Sequence, residues 1–307
     1  MFKQPKALVP GAHIRIVATA GRVDASRLAE GIRTIRERGY EVSVGQHVMD
    51  QWGYLAGHDE DRAQDLVEAL LDDAVDAVFL ARGGWGSSRL LPHLDRVDFS
   101  ACSAKIILGY SDITALHLYF QRRYQWVTFH GPVVEMDWSR ENGDDAFKLL
   151  AGGVGLLGDG PLEPLTRGTP ESMEAVPWTG GNLSLVAESL GTPYALDAEN
   201  KILYLEEVAE PIYRIDRMMT HLWLSGALSR VRGVVFGEAT RCEAPEAMPE
   251  YTALHVVTDI CQRAGVALWW GLPAGHGPRK VTLPLGIPMA IQDHRVVLET
   301  GAVHTDV

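Results

Sequence analysis

The stretch Ile106-Ile107-Leu108-Gly109-Tyr110-Ser111-Asp112-Ile113-Thr114 decides the fold. An apolar run of strand length stops at a glycine, a serine follows two residues later, and a helical pattern continues beyond it. A strand turning straight into a helix is the repeating unit of an α/β protein. The same turn lifts a hydroxyl off the end of a sheet and aims backbone N–H groups at whatever the oxygen attacks, the layout of a nucleophile elbow. The second glycine of the usual G-x-S-x-G pattern is absent, so Ser111 needs partners elsewhere in the chain.

Working outward, the first half alternates strand and helix signals. His13 to Ala18 is a short β-rich run. After Asp24, a candidate cap, Leu28, Ile32 and Ile35 recur at helical spacing until Gly39. Tyr40 to Val44 alternates as a strand. Asp59 to Leu71 predicts a helix with Ala63, Leu66, Val67, Leu70 and Leu71 on one face. Val75 to Leu80 and Lys105 to Leu108 are continuous apolar strands, the mark of a parallel sheet covered on both faces. Open sheets of this kind bind ligands at the carboxyl ends of their strands. Arg82-Gly83-Gly84-Trp85-Gly86 and Gly109-Tyr110-Ser111 both follow strands directly, so they are expected on one rim.

From Leu149 to Pro177 the pattern gives way to glycine, proline and polar residues, including Gly158-Asp159-Gly160-Pro161 and Arg167-Gly168-Thr169-Pro170. This divides the chain into a first domain over 1–150, a linker over 151–177 and a second domain over 178–307. The second half reads as mixed α+β: a short helix after Gly180-Gly181-Asn182-Leu183, a strand at Lys201 to Glu206, a helix from Ile212 to Leu224, a strand at Val234 to Phe236, a helix from Thr252 to Arg263 and a late strand at Arg295 to Leu298.

The 307 residues carry a formal net charge of −12. An acidic excess repels phosphate backbones and anionic bilayers, which argues against nucleic acid and membrane partners. Cys102, Cys242 and Cys261 are isolated and odd in number, so they predict free, buried thiols in a reducing compartment rather than disulfides or a zinc site. No stretch approaches the roughly 20 apolar residues of a membrane span, and no signal-peptide h-region follows the N-terminus. A cytoplasmic protein is the expectation.

A serine hydroxyl attacks at neutral pH only if a neighbouring base takes its proton and a carboxylate orients that base. His276, in Pro273-Ala274-Gly275-His276-Gly277-Pro278, sits in a loop tightened by glycine and proline. Three carboxylates compete for the third role: Glu206 and Glu207, which end a strand and point to opposite faces, and Glu210. The losing candidates are expected to be solvated charges. Gly83 and Gly84 allow close backbone approach to a ligand, and with the N–H of Asp112 a glycine N–H here supplies an oxyanion hole. The loop matches no phosphate-binding glycine pattern. Trp85 is either a substrate wall or core. No metal-ligand spacing occurs, and Asp216-Arg217 reads as an anchor between a helix and its neighbours.

Taken together, the chain resembles the LD-carboxypeptidase family, the S66 serine peptidases that include muropeptide-recycling enzymes and microcin C immunity hydrolases. The likeness spans nearly the whole chain. It rests on Trp52-Gly53-Tyr54-Leu55-Ala56-Gly57 with Asp61-Arg62-Ala63-Gln64-Asp65-Leu66, on Ala81-Arg82-Gly83-Gly84-Trp85-Gly86, and on Gly109-Tyr110-Ser111-Asp112-Ile113-Thr114. In the second half it includes Gly180-Gly181-Asn182-Leu183, Leu205-Glu206-Glu207-Val208, Tyr213-Arg214-Ile215-Asp216-Arg217, and Gly275-His276 leading to Leu283-Pro284-Leu285-Gly286. One departure is Ala18-Thr19-Ala20-Gly21, where the family commonly shows a Pro-Ser pair.

The resemblance implies an N-terminal Rossmann-like domain similar to class I glutamine amidotransferases, with a parallel sheet, and a mixed α+β C-terminal domain. It implies a Ser111–Glu206–His276 triad, with an oxyanion hole from the backbone N–H groups of Gly84 and Asp112. It implies no metal or organic cofactor, a homodimer, and a small muropeptide substrate losing its terminal D-alanine. Arg82, Trp85 and Trp178 are the candidate substrate-binding residues. Two alternatives accompany this expectation: a microcin C-type hydrolase of aminoacyl nucleotides, with Trp85 or Trp178 as a platform for the base, and a ligand-binding homologue without turnover.

Overall fold

A computed structural model describes residues 2–136, 138, 140–244 and 246–305, and the chain divides into two compact units, 1–153 with 301–307, and 154–300.

The first unit is a parallel sheet with helices in the crossovers. Its elements are β1 (His13–Val17), α1 (Ala25–Glu37), β2 (Glu41–Val44), α2 (Asp59–Leu71), β3 (Ala77–Leu80), α3 (Leu91–Leu94), β4 (Ile106–Gly109), α4 (Thr114–Tyr124), β5 (Thr128–His130) and α5 (Arg140–Leu150). The parallel pairs follow the order β2-β1-β3-β4-β5. Every residue of β3 and β4 is buried, as continuous apolar strands in a sheet covered on both faces must be. The order reverses between β1 and β3. This is the switch point beside which open α/β sheets place their ligands.

Local chemistry sets the helix ends. Asp24 caps α1 by accepting from the N–H groups of Ser26 and Arg27. Asp59, Glu60 and Asp61 open α2 where its dipole favours negative charge. The inner face of α2 differs from the apolar stripe expected of it. Leu71 is 47% exposed, whereas Arg62 and Asp65 are buried. The helix turns two polar residues inward because loops from the strand ends need partners there.

The second unit holds β6 (Gly155–Leu157), β7 (Glu163–Pro164), β8 (Met173–Asn182), α6 (Leu183–Ser189), β9 (Ile202–Val208), α7 (Ile212–Leu224), β10 (Gly233–Thr240), α8 (Ala253–Ala264), β11 (Leu268–Trp270), β12 (Leu283–Leu285), β13 (Pro288–Gln292) and β14 (Arg295–Leu298). Eight of these strands form a mixed sheet in the order β6-β14-β13-β8-β9-β10-β11-β7. The four strands β8 to β11 are parallel, and antiparallel strands flank them on both sides.

The segment 151–177 is therefore not a linker. It supplies β6, β7 and the first half of β8. Its glycines and prolines punctuate short strands, and edge strands tolerate such residues because half their backbone groups need no ladder partner. Residues 301–305 return to the first unit, where the His304 carbonyl accepts from Ala7 N at 2.8 Å. Among the described residues, no helix is long and apolar enough to cross a membrane. The three cysteines are free, but only Cys261 is fully buried.

Gly31 in α1 offers a test of this packing. Replacing an interior helix glycine by alanine ordinarily stabilises by up to about 1 kcal/mol. Here the added Cβ would lie 2.0 Å from the Val134 carbonyl oxygen. Gly31→Ala is expected to destabilise by roughly 1–3 kcal/mol through overpacking. A urea midpoint at or above wild type would contradict it.

Candidate active site

In the first unit, the turn after β4 carries Ser111 at φ +63°, a left-handed conformation that a residue with a Cβ enters at a cost of about 1–2 kcal/mol. A short 3-10 turn, Ser111–Ile113, then leads into α4. Gly109 allows the tight approach, because a Cβ there would meet Ile113 Cγ1 at 2.9 Å and Leu80 Cβ at 3.1 Å. The loop after β3 lies directly against the serine: a Cβ on Gly83 would stand 2.9 Å from Ser111 Cβ and 3.2 Å from its Oγ. Gly84 adopts φ +116°, and Gly21 N–H at the exit of β1 donates to the Gly83 carbonyl at 3.1 Å.

Buried polar side chains fix this rim. Asp112 Oδ2 accepts from Ser87 N–H at 2.7 Å, and Ser87 Oγ lies 2.9 Å from Thr19 Oγ1. Arg62 reaches up from α2 and donates to the carbonyls of Thr19 and Gly86 and to Asp59. Asp59 also binds Arg89 at 2.7 Å. Arg62 thus joins the exits of β1 and β3, although the sequence marked it only as part of a family motif.

Arg82 and Trp85 are both on this rim. The Arg82 guanidinium is 40% exposed; it donates to the Arg22 carbonyl and lies 4.0 Å from Glu135. Trp85 is 38% exposed and stands edge-on to Tyr54, with ring centroids 6.2 Å apart.

In the second unit, His276 Nδ1 lies 2.6 Å from Glu206 Oε2, and Glu206 is completely buried. Of the three competing carboxylates, Glu206 is the one bonded to the imidazole. Glu207 points away, as strand alternation requires, yet it is also buried rather than solvated. It accepts from Asn182 Nδ2 at 3.0 Å, Ser184 N–H at 2.9 Å, Ser184 Oγ at 2.7 Å and Val208 N–H at 2.8 Å. Burial still holds its pKa above the usual carboxylate range. Glu210 forms a surface pair with Arg214 at 3.3 Å.

Gly180-Gly181-Asn182 acquires a physical reason here. A Cβ on Gly180 would lie 2.0 Å from the Tyr204 carbonyl oxygen, so the glycines let β8 press against β9. That brings Asn182 Nδ2 within 3.3 Å of Glu206 Oε1, while its Oδ1 caps α6. The sequence marks Asn182 only as part of a family motif, between a glycine pair and a helix, and assigns it no role.

Two expectations differ from the structure. Trp178 is fully buried and donates from its indole N–H to the Met289 carbonyl at 3.2 Å, which makes it part of the core. Asp216 and Arg217 bond within α7 instead of anchoring it to neighbours: Asp216 accepts from Thr220 one turn on, and Arg217 covers the Tyr213 ring. Among the described residues, one group brings potential metal-ligand atoms within 4.8 Å of one another: His47, Asp50 and Asp61. It contains none of the residues above.

A hydroxyl on a strained strand-to-helix turn and an imidazole oriented by a buried carboxylate are the parts of a serine hydrolase. Models of the LD-carboxypeptidase N-terminal and C-terminal domains match residues 14–131 and 177–291. A Synechocystis sp. relative is 37% identical over 292 residues, covering 93% of each chain. The probable murein peptide carboxypeptidase of Bacillus subtilis is 33% identical over 306 residues, 97% of this chain and 95% of that one.

Among solved structures, the muramoyltetrapeptide carboxypeptidase from Oxalobacter formigenes superposes with a TM-score of 0.80 at 27% identity, covering 96% of this chain and all of that one (100%). The microcin C7 self-immunity protein MccF, solved with aspartyl sulfamoyl adenosine, superposes with a TM-score of 0.86 at 20% identity, over 98% and 99% of the two chains; at that identity it speaks to fold alone. The chain belongs to the LD-carboxypeptidase family, a class of serine carboxypeptidases.

The turn that carries Ser111 has a pH signature. His117 in α4 is fully buried, lies 2.9 Å from the Gly109 carbonyl through Nε2, and among the described residues has no hydrogen-bond partner for Nδ1. Burial lowers its pKa from 6.5 to about 4. The unfolded chain therefore takes up a proton that the folded chain refuses. Stability is present above the unfolded pKa and falls as pH drops through this window, by roughly 3 kcal/mol in total. His117→Gln should flatten that part of the profile in urea unfolding, and parallel losses in both proteins would refute it.

Proposed function

We propose that the chain hydrolyses the amide between an L-configured centre and a C-terminal D-amino acid of murein tetrapeptides, releasing D-alanine in peptidoglycan recycling. The carrying observation is the 2.6 Å contact between His276 Nδ1 and the buried Glu206 carboxylate. It fixes the tautomer that leaves Nε2 as the proton acceptor. The left-handed backbone of Ser111 after β4 supports the serine as nucleophile, and the names of the Bacillus and Oxalobacter relatives support a murein peptide as substrate.

In this mechanism Ser111 Oγ attacks the scissile carbonyl carbon as its proton passes to His276 Nε2. The carbonyl oxygen becomes an oxyanion held by the backbone N–H groups of Gly84 and Asp112, a contribution of about 10²–10³ in turnover per donor. The intermediate collapses, the C–N bond breaks, and His276 returns the proton to the departing amine. Water, deprotonated by His276, then cleaves the Ser111 ester and restores the hydroxyl. Glu206 holds the ring through Nδ1 and stabilises the imidazolium. The exposed Arg82 guanidinium is suited to the carboxylate of the D-residue, and Trp85 to the wall beside it. Trp178 receives no substrate role. A cytoplasmic location, the expectation raised by the isolated thiols, and a homodimer, implied by the family resemblance, complete the reading.

Mass spectrometry of a murein tetrapeptide incubated with wild type, Ser111→Ala and an EDTA-treated sample tests this. Loss of one D-alanine by wild type, undiminished by EDTA and absent in the variant, is expected. Cleavage of an aminoacyl-sulfamoyl adenylate but not the tetrapeptide would move the protein to nucleotide conjugates. Turnover unaffected by Ser111→Ala would remove the serine mechanism.

A second comparison separates the carboxylates. Glu206→Gln is expected to lower kcat by about 10⁴-fold through the wrong tautomer. Glu210→Gln, which breaks only a surface ion pair, should stay within about twofold of wild type. Similar losses in the two variants would show that Glu206 has no special role.

A further inference from the structure

The glycines on either side of His276 each face a carboxylate. A Cβ on Gly275 would lie 2.9 Å from Glu206 Oε2, and a Cβ on Gly277 would lie 2.1 Å from Glu238 Oε1. Glu206 is on β9 and Glu238 on the neighbouring β10, where the ladder slips between Phe236 and Ala239. The irregularity puts Glu238 under the loop, and its Oε2 accepts from Gly277 N–H at 2.9 Å.

Lys280 closes the same loop from inside. It is only 6% exposed, and its Nζ donates to the carbonyls of Gly275 at 3.2 Å and Gly277 at 2.6 Å. Burial lowers the lysine pKa, while Glu238 and Glu206 act to raise it. A buried ammonium carries a desolvation penalty that an apolar side chain of similar length would avoid. Anchoring a loop by packing alone would not require it. What the ammonium supplies is directional: it draws together the two carbonyls that bracket the histidine, and Glu238 both fixes the next N–H and balances the charge.

We propose that Glu238 and Lys280 are positioning residues for His276, forming a clamp on the backbone either side of it that keeps its imidazole on Glu206. Neither touches the reacting atoms. Their effect passes through the orientation of Nε2, and catalytic geometry is steep enough that a displacement of about 1 Å costs about 10²-fold. The inference rests on the reading of His276 as the catalytic base.

The test uses the full chain with Lys280→Met, Glu238→Ala and Glu238→Gln. Steady-state release of D-alanine from a murein tetrapeptide is one readout. The other is the downfield proton NMR resonance of the His276 Nδ1–H, assigned with His276→Gln and recorded without substrate. Lys280→Met and Glu238→Ala are expected to lower kcat by about 10²-fold with KM within about twofold, and to weaken or shift the resonance. Glu238→Gln, whose amide oxygen still accepts from Gly277 but which no longer balances the ammonium, should recover part of the loss. Wild-type kcat and resonance in the first two variants would overturn the clamp, as would a loss confined to KM or a glutamine no better than alanine. If Lys280→Met does not fold, the two Glu238 variants decide alone. A resonance that responds to Glu238→Ala in a protein that cleaves no tetrapeptide would keep the clamp and refute the substrate.

Discussion

A carboxylate with no solvent exposure must be surrounded by donors or lose its charge, and much of the second unit is arranged around that requirement at Glu206. His276 occupies one oxygen and Asn182 approaches the other. To bring Asn182 there, β8 must press against β9 more closely than side chains allow, which is the work of Gly180. To bring His276 there, its loop must run across the carboxylate, which is the work of Gly275. Three separate sequence motifs therefore answer to one electrostatic constraint. Tyr204, two residues earlier on the same strand face, is buried beside the same charges, and burial together with Glu206 and Glu238 holds its phenol protonated.

The first unit solves a related problem with the opposite sign. A serine held at positive φ persists only if its surroundings leave it no other choice. Those surroundings are loops, which lack ladder hydrogen bonds of their own. Buried Arg62 supplies donors to two of them, and Asp112 accepts from a third backbone position. Burial lowers the Arg62 pKa, and Asp59 offsets this by hydrogen bonding and charge. The helix α2 thus gives up part of an apolar face for a polar post under the rim. That exchange explains why its apolar periodicity overestimates Leu71 and says nothing of Arg62.

Legibility in the sequence followed the range of the physics. The bounds of α2, α7 and β14 were readable, because apolar spacing and helix ends are local signals. The strands β6, β7 and β13 were not. They are short and exist through pairing with distant partners, and the glycine and proline around β6 and β7 made 151–177 resemble a linker. At the site, residue types could nominate Ser111 and His276. Strand alternation could say only that one of Glu206 and Glu207 would face the histidine. That choice depends on where a loop 70 residues later comes to rest, which no local pattern carries.

The same limit explains why Asn182, Glu238 and Lys280 carried no signal of their own. Asparagine before a helix reads as a cap, a glutamate near a strand end as a solvated charge, and a lysine before a strand as surface. Each of those readings rests on the ordinary preference of the residue for water. In the folded unit, loop 275–280 crosses the ends of β9 and β10, and the crossing removes the water. Once the backbone carbonyls of that loop are buried they need donors. A lysine already on the loop is close enough to serve, but its charge then needs the Glu238 carboxylate as a counterion. The polar cluster follows from burying an irregular backbone beside a buried acid, where each hydrogen bond raises the cost of losing its neighbour.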